Sequence, residues 1–307
     1  MAQKYGKWIV AQSLSEGGQA VTFLVYREGH PEKRQCVLKR FKNPDRVKRY
    51  ESEVAAALRL DQTNLVKHVD SDLESAKPFM VTEYYSGGPL SRGDFDNWST
   101  IERLQLFRAI CDGVGYAHSQ GIIHRDLKPD NIFLREDGKT PVVGDFGICF
   151  ISEEGERFTL TDEAVGARRF TAPELEDGRA DQVSARSDVY SLGKILYWLF
   201  AKRVFDREKH WEPQWSLTNK QQDLSAILMA ERAFVNELLD QAVVHEPEKR
   251  CSNANHFGAK VDRAIWRILR HAHTLDLTEN EICNFCGIGH YQAVGDSTCG
   301  RNKGRSF

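Results

Sequence analysis

The chain changes its residue pattern near position 85, and this change constrains the fold more than any other feature. Before it, residues 8–14, 21–26, 35–41, 65–69 and 79–84 have the β-branched and aromatic content of strands, with one amphipathic helix at 45–60. After the break Ser86-Gly87-Gly88-Pro89, helical periodicity dominates, at 100–119, 189–200, 224–244 and 255–271. We therefore expect an α+β fold of two lobes joined by a hinge.

Charge and hydropathy exclude several classes of partner. Forty-two Lys and Arg stand against 44 Asp and Glu, a net charge of −2, so no overall positive field attracts nucleic acid or an anionic membrane. The most apolar run, 189–201, is much shorter than the roughly 20 residues of a membrane-spanning helix. We expect no nucleic-acid partner and no membrane segment.

The seven cysteines favour a reducing compartment. Cys36, Cys111, Cys149 and Cys251 are scattered singly, and the other three crowd the end of the chain. An odd number without regular spacing argues against the disulfide framework of a small secreted protein. The first ten residues also lack the apolar stretch of a secretory signal. The sequence predicts a cytoplasmic protein.

One polar string carries most of the chemical information. Residues 124–131 read His-Arg-Asp-Leu-Lys-Pro-Asp-Asn, and Asp145-Phe146-Gly147 begins 19 residues after Asp126. Carboxylates, a lysine and an amide so close together suit the binding of Mg²⁺ and phosphate oxygens, because Mg²⁺ prefers a few oxygen ligands beside the phosphates of a nucleotide. Each tripeptide alone is an ordinary turn sequence, but the whole string indicates a phosphate-handling site.

These motifs resemble the eukaryotic-like, or Hanks-type, Ser/Thr protein kinases, over about residues 8–271. The resemblance implies the two-lobed kinase fold. Residues 1–84 would be the N-lobe, a small antiparallel β-sheet with one helix, and residues 85–272 the larger, mainly helical C-lobe. ATP would bind in the cleft between them, and the partner would be a protein with a Ser or Thr acceptor.

The resemblance assigns roles to the polar string. Asp126 would orient the substrate hydroxyl and accept its proton, while Asn131 and Asp145 would bind Mg²⁺. Lys128 is typical of Ser/Thr-directed members and would neutralise the transferring phosphoryl group.

The predicted N-lobe supplies the second half of the site. Lys39, on the strand at 35–41, stands where the family grips the α- and β-phosphates, with Glu53 on the following helix as its ion-pair partner. Glu51 competes for this role, but it lies about 200° around the helix from Glu53, so both cannot face the cleft. We favour Glu53.

The glycine-rich loop departs from the family pattern. The positions of G-x-G-x-x-G fall on Ser15, Gly17 and Ala20, with Gly18 as an extra glycine. Glycine permits positive φ and a close approach of backbone N–H groups to phosphate, so Ser15 and Ala20 restrict the backbone. We expect all four residues to line the ATP site, with weakened affinity for ATP.

The resemblance also places the hinge. Thr82 would be the gatekeeper residue, a small one that leaves a deeper pocket, and the backbone of Glu83 and Tyr85 would pair with the adenine edge.

Further matches concern the frame of the C-lobe. Glu174 of Ala-Pro-Glu would pair with Arg250, and Asp188 would brace the catalytic loop. Ala167 stands where Ser/Thr kinases usually have Thr, which weakens the assignment of substrate class. The following pair Arg168-Arg169 either favours acidic substrates or is a solvated surface.

The same resemblance suggests regulation. An Arg directly before the catalytic Asp marks family members that are switched by phosphorylation of the segment between Asp145 and Glu174. Thr159 and Thr161 are the best-placed acceptors, and their phosphates would pair with Arg125. The alternative is that Arg125 braces the loop through backbone carbonyls.

The last segment, residues 273–307, is rich in cysteine. Cys283-x₂-Cys286 followed by Gly resembles a zinc knuckle, and His290 and Cys299 would complete four Zn²⁺ ligands. The second pair is irregularly spaced, so a metal-free tail and redox chemistry remain alternatives.

The sequence predicts an ATP- and Mg²⁺-dependent protein Ser/Thr kinase. The alternative from another class is a pseudokinase, a nucleotide-binding scaffold that acts through protein contacts. The complete set of polar groups argues against a pseudokinase, whereas the eroded glycine loop and Ala167 argue weakly for it. A small-molecule kinase is disfavoured, because Lys128 and Ala-Pro-Glu are typical of protein-directed members.

Overall fold

A computed structural model describes residues 3–17, 20–30, 35–43, 47–146, 169–177, 183–204 and 229–274. Its N-terminal part is a six-stranded antiparallel sheet of order β1-β2-β3-β4-β6-β5. The strands are β1 (Lys4–Tyr5), β2 (Trp8–Glu16), β3 (Ala20–Arg27), β4 (Cys36–Phe41), β5 (His68–Asp72) and β6 (Phe79–Glu83). Four of the five strand predictions agree within a few residues, and β1 was not predicted.

The sheet divides the apolar residues of the N-lobe into two clusters. Residues of β2, β3, β4 and β6, among them Val21, Phe23 and Leu38, form the first cluster on one face. On the other face, Phe41 and Met80 pack against helix α1 (Val47–Arg59). Alternate residues of a strand point to opposite faces, so β4 presents Leu38 to the first cluster and Lys39 to the face that carries α1.

The C-lobe is built from helices around one large core. They are α2 (Thr100–Ser119), α3 (Pro173–Glu176), α4 (Ala185–Ala201), α5 (Met229–Asp240) and α6 (Ala254–Thr274). Ser99 and Glu102 form a capping box that begins α2 at the predicted residue. Ser184 caps α4, which starts four residues before the prediction, and α4 is buried along most of its length.

A two-stranded antiparallel ribbon, β7 (Ile132–Leu134) with β8 (Pro141–Val143), lies between α2 and the C-terminal helices in sequence. The segment after α1 pairs with this ribbon rather than with the large sheet: Leu65 bridges Val143, and the Val66 N–H donates to the Val143 carbonyl at 2.9 Å. The strand predicted at 65–69 is therefore wrong by three residues, because β5 begins at His68. These bonds tie the N-lobe to the C-lobe behind the cleft.

Candidate active site

Lys39 joins the sheet to two acidic groups. Its Nζ lies 2.5 Å from Glu53 Oε1 on α1 and 3.0 Å from Asp145 Oδ1, just after β8. Burial alone would lower the pKa of Lys39, but the carboxylates of Asp145 and Glu53 raise it well above its ordinary value. Glu51, the competing candidate, is exposed. Lys39 is therefore a fixed positive charge in the cleft, paired as the sequence predicts.

Asp145 owes its position to the residues around it. Its φ is 53°, in the left-handed region, which is uncommon for a residue other than glycine. At Gly144, an added Cβ would lie 2.5 Å from Val66 Cγ2, so only glycine lets the chain pass this close beneath Val66. The attraction of Lys39 is the main reason why the pKa of Asp145 lies below its ordinary value, and Lys128 contributes. Asp145 is thus ionised near neutral pH.

The catalytic loop, residues 124–131, converges on Asp126. Its Oδ2 accepts hydrogen bonds from Lys128 Nζ at 3.0 Å and from Asn131 Nδ2 at 2.9 Å. Asn131 Nδ2 also donates to the Asp126 carbonyl at 2.8 Å. These bonds fix the orientation of the Asn131 amide, because Nδ2 donates both of its hydrogens to Asp126. Its Oδ1 remains as the acceptor of this side chain.

Asp188, in the first turn of α4, anchors the backbone of this loop. It is fully buried, and its carboxylate accepts backbone N–H bonds from His124 at 2.7 Å and from Arg125 at 2.8 Å. Arg125 has a φ of 67°, a conformation that costs free energy unless its surroundings enforce it. Asp188 supplies that constraint, as the sequence predicts.

His118, in the last turn of α2, was not predicted to contribute. Its Nδ1 accepts the backbone N–H of Ala254 at 3.1 Å, so its Nε2 carries the proton and donates to Asp188 Oδ2 at 2.8 Å. Burial opposes ionisation of Asp188, yet the bond from His118 keeps its pKa below the ordinary value. The brace therefore joins α2, α4 and the start of α6.

His124 connects the catalytic loop to the Asp-Phe-Gly motif. It is fully buried, its Nε2 lies 2.8 Å from the Gly144 carbonyl, and its ring lies 4.5 Å from that of Phe146. The Gly144 N–H in turn donates to the Asn131 carbonyl at 2.9 Å. Asp126 and Asp145 are thus held by one continuous set of bonds.

The hinge residues use their side chains within the protein. Glu83 and Tyr85 are buried, and the Tyr85 hydroxyl accepts the Lys67 N–H at 3.2 Å and donates to Glu83 Oε2 at 3.3 Å. Thr82 is half-buried on β6. The pairing of the hinge backbone with adenine stays a prediction.

The predicted phosphate loop is the β2–β3 hairpin. The Gly17 N–H donates to the Ala20 carbonyl at 3.0 Å, and Ser15 lies opposite Thr22, with 2.6 Å between their hydroxyl oxygens. Neither Ser15, Gly17 nor Ala20 has a positive φ. The residues that replace the family's glycines are therefore unstrained here.

The predicted ion pair between Glu174 of Ala-Pro-Glu and Arg250 is present. Arg250 donates to both oxygens of Glu174, at 2.7 and 3.0 Å, and Ser187 Oγ donates at 2.7 Å. Burial would raise the pKa of Glu174, but the bonds from Arg250 hold it below its ordinary value. Both side chains are buried, so the contact is structural.

Several predicted residues lie outside the part of the chain that the structure describes: Gly18, Thr159, Thr161, Ala167, Arg168, Cys283, Cys286, His290 and Cys299. Within the described ranges, no three His, Cys, Asp or Glu side chains cluster as metal ligands. No helix in those ranges has the length and apolar character to cross a membrane.

Comparison with known proteins gives a consistent picture. The family model for the protein kinase domain matches residues 8–261. The chain is 35% identical over 164 residues to Serine/threonine-protein kinase Pkn1 of Myxococcus xanthus, covering 52% of this chain and 23% of that relative. It is 27% identical over 272 residues to Serine/threonine-protein kinase D of Synechocystis, covering 82% and 51%. The chain thus spans between about a quarter and a half of these relatives.

Among solved structures, the kinase domain of Mycobacterium tuberculosis PknI aligns with a TM-score of 0.62 at 23% sequence identity, over 86% of this chain and 98% of that one. This likeness confirms the predicted α+β fold, a small antiparallel sheet lobe followed by a helical lobe.

Proposed function

The chain belongs to the protein kinase domain family, and from this premise we propose that it transfers the γ-phosphate of ATP to Ser or Thr hydroxyls of a protein. One observation carries the proposal. Lys39 bonds both Glu53 and Asp145, and a continuous set of bonds holds Asp126 beside them. Protein-kinase chemistry needs these groups in one cleft.

The residues divide the work as follows. Asp126 accepts the proton of the substrate hydroxyl, and Lys128, 3.0 Å away, offsets negative charge on the transferring group. Lys39 binds the α- and β-phosphates of ATP. Asn131 Oδ1 and the Asp145 carboxylate suit Mg²⁺ in donor chemistry, and Mg²⁺ would neutralise charge on the phosphate oxygens. The hinge backbone at Glu83 and Tyr85 receives adenine.

The pseudokinase alternative is not favoured, because none of these groups is missing or misplaced. The eroded glycine loop, its main support, is unstrained in the structure.

Transfer of ³²P from Mg-ATP to a generic protein substrate and to the chain itself tests the proposal. Asp126→Asn should abolish transfer and keep the fold, because Asp126 is a half-buried side chain of the cleft. Asp137→Asn is the matched control, because Asp137 is an exposed turn residue whose carboxylate bonds Thr140. This variant should transfer phosphate at the rate of wild type. Equal transfer by wild type and Asp126→Asn would refute the assignment.

Regulation of this activity is a further part of the proposal. The Arg125 Nε is buried without a hydrogen-bond partner among the described residues. Its N–H group can therefore donate to a phosphate on Thr159 or Thr161. Mass spectrometry after autophosphorylation should find these sites. Unchanged activity in the Thr159→Ala, Thr161→Ala double variant would remove the switch.

For the tail, we propose that Cys283, Cys286, His290 and Cys299 bind Zn²⁺; the support is the Cys-x₂-Cys-Gly sequence. Elemental analysis of protein purified without chelator tests this, and less than about a tenth of an equivalent of zinc would contradict it. A cytoplasmic, reducing location fits the buried cysteines Cys36, Cys111 and Cys251.

A further inference from the structure

The β2–β3 hairpin carries a hydroxyl pair where the family has a glycine. Ser15 Oγ and Thr22 Oγ1 lie 2.6 Å apart across the two strands. We propose that this pair is a positioning device that holds the hairpin over the nucleotide phosphates and so sets the affinity for Mg-ATP. The inference rests on the proposed function and adds Thr22 to its site.

The register places the pair on the cleft side of the sheet. Ser15 lies opposite Thr22, and Thr22 lies opposite Lys39. Residues directly opposite each other in an antiparallel sheet share a face. Lys39 reaches Glu53 and Asp145 from that face, so both hydroxyls line the same face as the Lys39 ammonium group.

The apolar clusters support this orientation. Val21 and Phe23, the neighbours of Thr22 on β3, belong to the cluster on the opposite face of the sheet. Ala20, two residues away from Thr22, packs against the cluster beneath α1. The alternation puts the Thr22 hydroxyl on the cleft side.

The pair replaces backbone freedom with a cross-strand bond. Ser15 lies opposite Thr22 directly after a register shift between Ser13 and Ser15, and its φ is not positive, so glycine is not required at this position. β1 pairs only with Trp8 and Ile9 of β2, so among the described strands the end of β2 that carries Ser15 pairs with β3 alone. Ser15 is exposed there, so a bond to Thr22 restrains the local mobility of this end of the hairpin. Thr22 Oγ1 also lies 3.4 Å from the Ser15 carbonyl.

Two explanations of Ser15 make opposite predictions for Ser15→Gly. If Ser15 only replaces the family's glycine and has no role of its own, restoring Gly gives equal or tighter binding of Mg-ATP. If Ser15 acts through Thr22, the same change removes the bond and weakens binding. A hydrogen bond of this kind is worth about a two- to tenfold change in the dissociation constant.

The experiment measures the Kd of Mg-ATP by calorimetry, and KM and kcat, on the full chain. Ser15→Gly and Thr22→Val should each raise Kd and KM about two- to tenfold while kcat changes less than about twofold. The double variant should be no worse than either single one, because both remove the same bond. Thr22→Ser keeps the hydroxyl and should keep the Kd low.

Ser13→Gly is the matched control. Ser13 is also exposed on β2, but it lies opposite Phe23 and therefore on the other face of the sheet. Its Kd should equal that of wild type. An equal or lower Kd in Ser15→Gly, or an equal rise in Ser13→Gly, would overturn the proposal.

The outcomes separate this inference from the proposed function. Wild type that binds Mg-ATP without transferring phosphate refutes the kinase activity, while the Kd values still decide on the pair. Active wild type with unchanged Kd in Thr22→Val refutes the pair alone. Wild type that binds no Mg-ATP refutes both.

Discussion

The two walls of the cleft are ordered in different ways. In the C-lobe wall, Asp126 is positioned by loop bonds that lead to Asp188, a fully buried carboxylate in the core. In the N-lobe wall, the β2–β3 hairpin is ordered by a strand ladder and a bond between Ser15, which is exposed, and Thr22. Buried bonds open only when the core opens, whereas exposed ones open locally. The difference indicates a rigid catalytic wall and an adjustable nucleotide wall.

The cores beneath the walls follow the same division. One continuous apolar core underlies the C-lobe, whereas the N-lobe sheet separates two small clusters. Lys39 and its two carboxylates, one on each side, connect the walls. Catalysis requires the reacting groups to be oriented together, so this connection is where the adjustable wall is coupled to the rigid one.

The largest expected effect is on the rigid wall. Arg250→Met removes the cation paired with Glu174 and leaves a buried carboxylate without a compensating charge, which should lower the free energy of unfolding by about 3–5 kcal/mol. Lys249→Met is the control. That lysine is 63% exposed and pairs with Glu246 at the surface, a contact worth less than about 1 kcal/mol. Urea unfolding should separate the two, and equal midpoints would contradict the rigid-wall account.

The second prediction concerns the connection between the walls. Glu53→Gln weakens the contact with Lys39 and should reduce kcat/KM by about ten- to hundredfold, because the lysine is no longer held toward the phosphates. Glu51→Gln, on the exposed side of α1, should stay within about twofold of wild type. Similar activities of the two variants would show that the walls are not coupled here.

Acid should destabilise the rigid wall. The ordinary pKa values of Glu174 and Asp188 are 4.5 and 3.8, and both are lower in the folded protein. As the pH falls below about 4.5, the unfolded chain binds protons that the folded chain does not, so the free energy of unfolding decreases. Urea midpoints measured from pH 6 to pH 3 should fall, with a shallower decline in Glu174→Gln. A midpoint that is independent of pH would contradict this prediction.

Local signals in the sequence were sufficient for much of the fold. The helical period predicts α2 to the residue, and the structure shows a Ser99–Glu102 capping box at that start. The strand at 65–69 is misplaced because an apolar pattern does not identify its partner: Leu65 and Val66 pair with β8 instead of the large sheet. The three-residue strands β7 and β8 are too short to give a clear pattern.

The site shows the same limit. Motifs placed Lys39, Asp126 and Asp145, because the spacing of their chemistry is visible along the chain. His118 and Thr22 were missed, since their contacts with Asp188 and Ser15 exist only in the folded molecule. A histidine in the last turn of a helix is common, because a basic residue there interacts favourably with the helix dipole. The sequence therefore did not mark His118 as a residue of the site.

The smallest change in the free energy of unfolding is expected in the adjustable wall. Alanine substitutions at one glycine of each wall, Gly17 and Gly144, compare the two. At Gly17, φ is not positive and, among the described residues, an added Cβ meets only the Ala20 carbonyl oxygen, at 3.9 Å. Gly17→Ala should therefore leave the free energy of unfolding unchanged or raise it by up to about 1 kcal/mol. At Gly144 the Cβ would meet Val66 at 2.5 Å, and Gly144→Ala should cost about 1–3 kcal/mol. Urea unfolding of both variants makes the comparison. A loss at Gly17 as large as that at Gly144 would mean that the hairpin is as tightly packed as the catalytic wall, and the contrast between the walls would be lost.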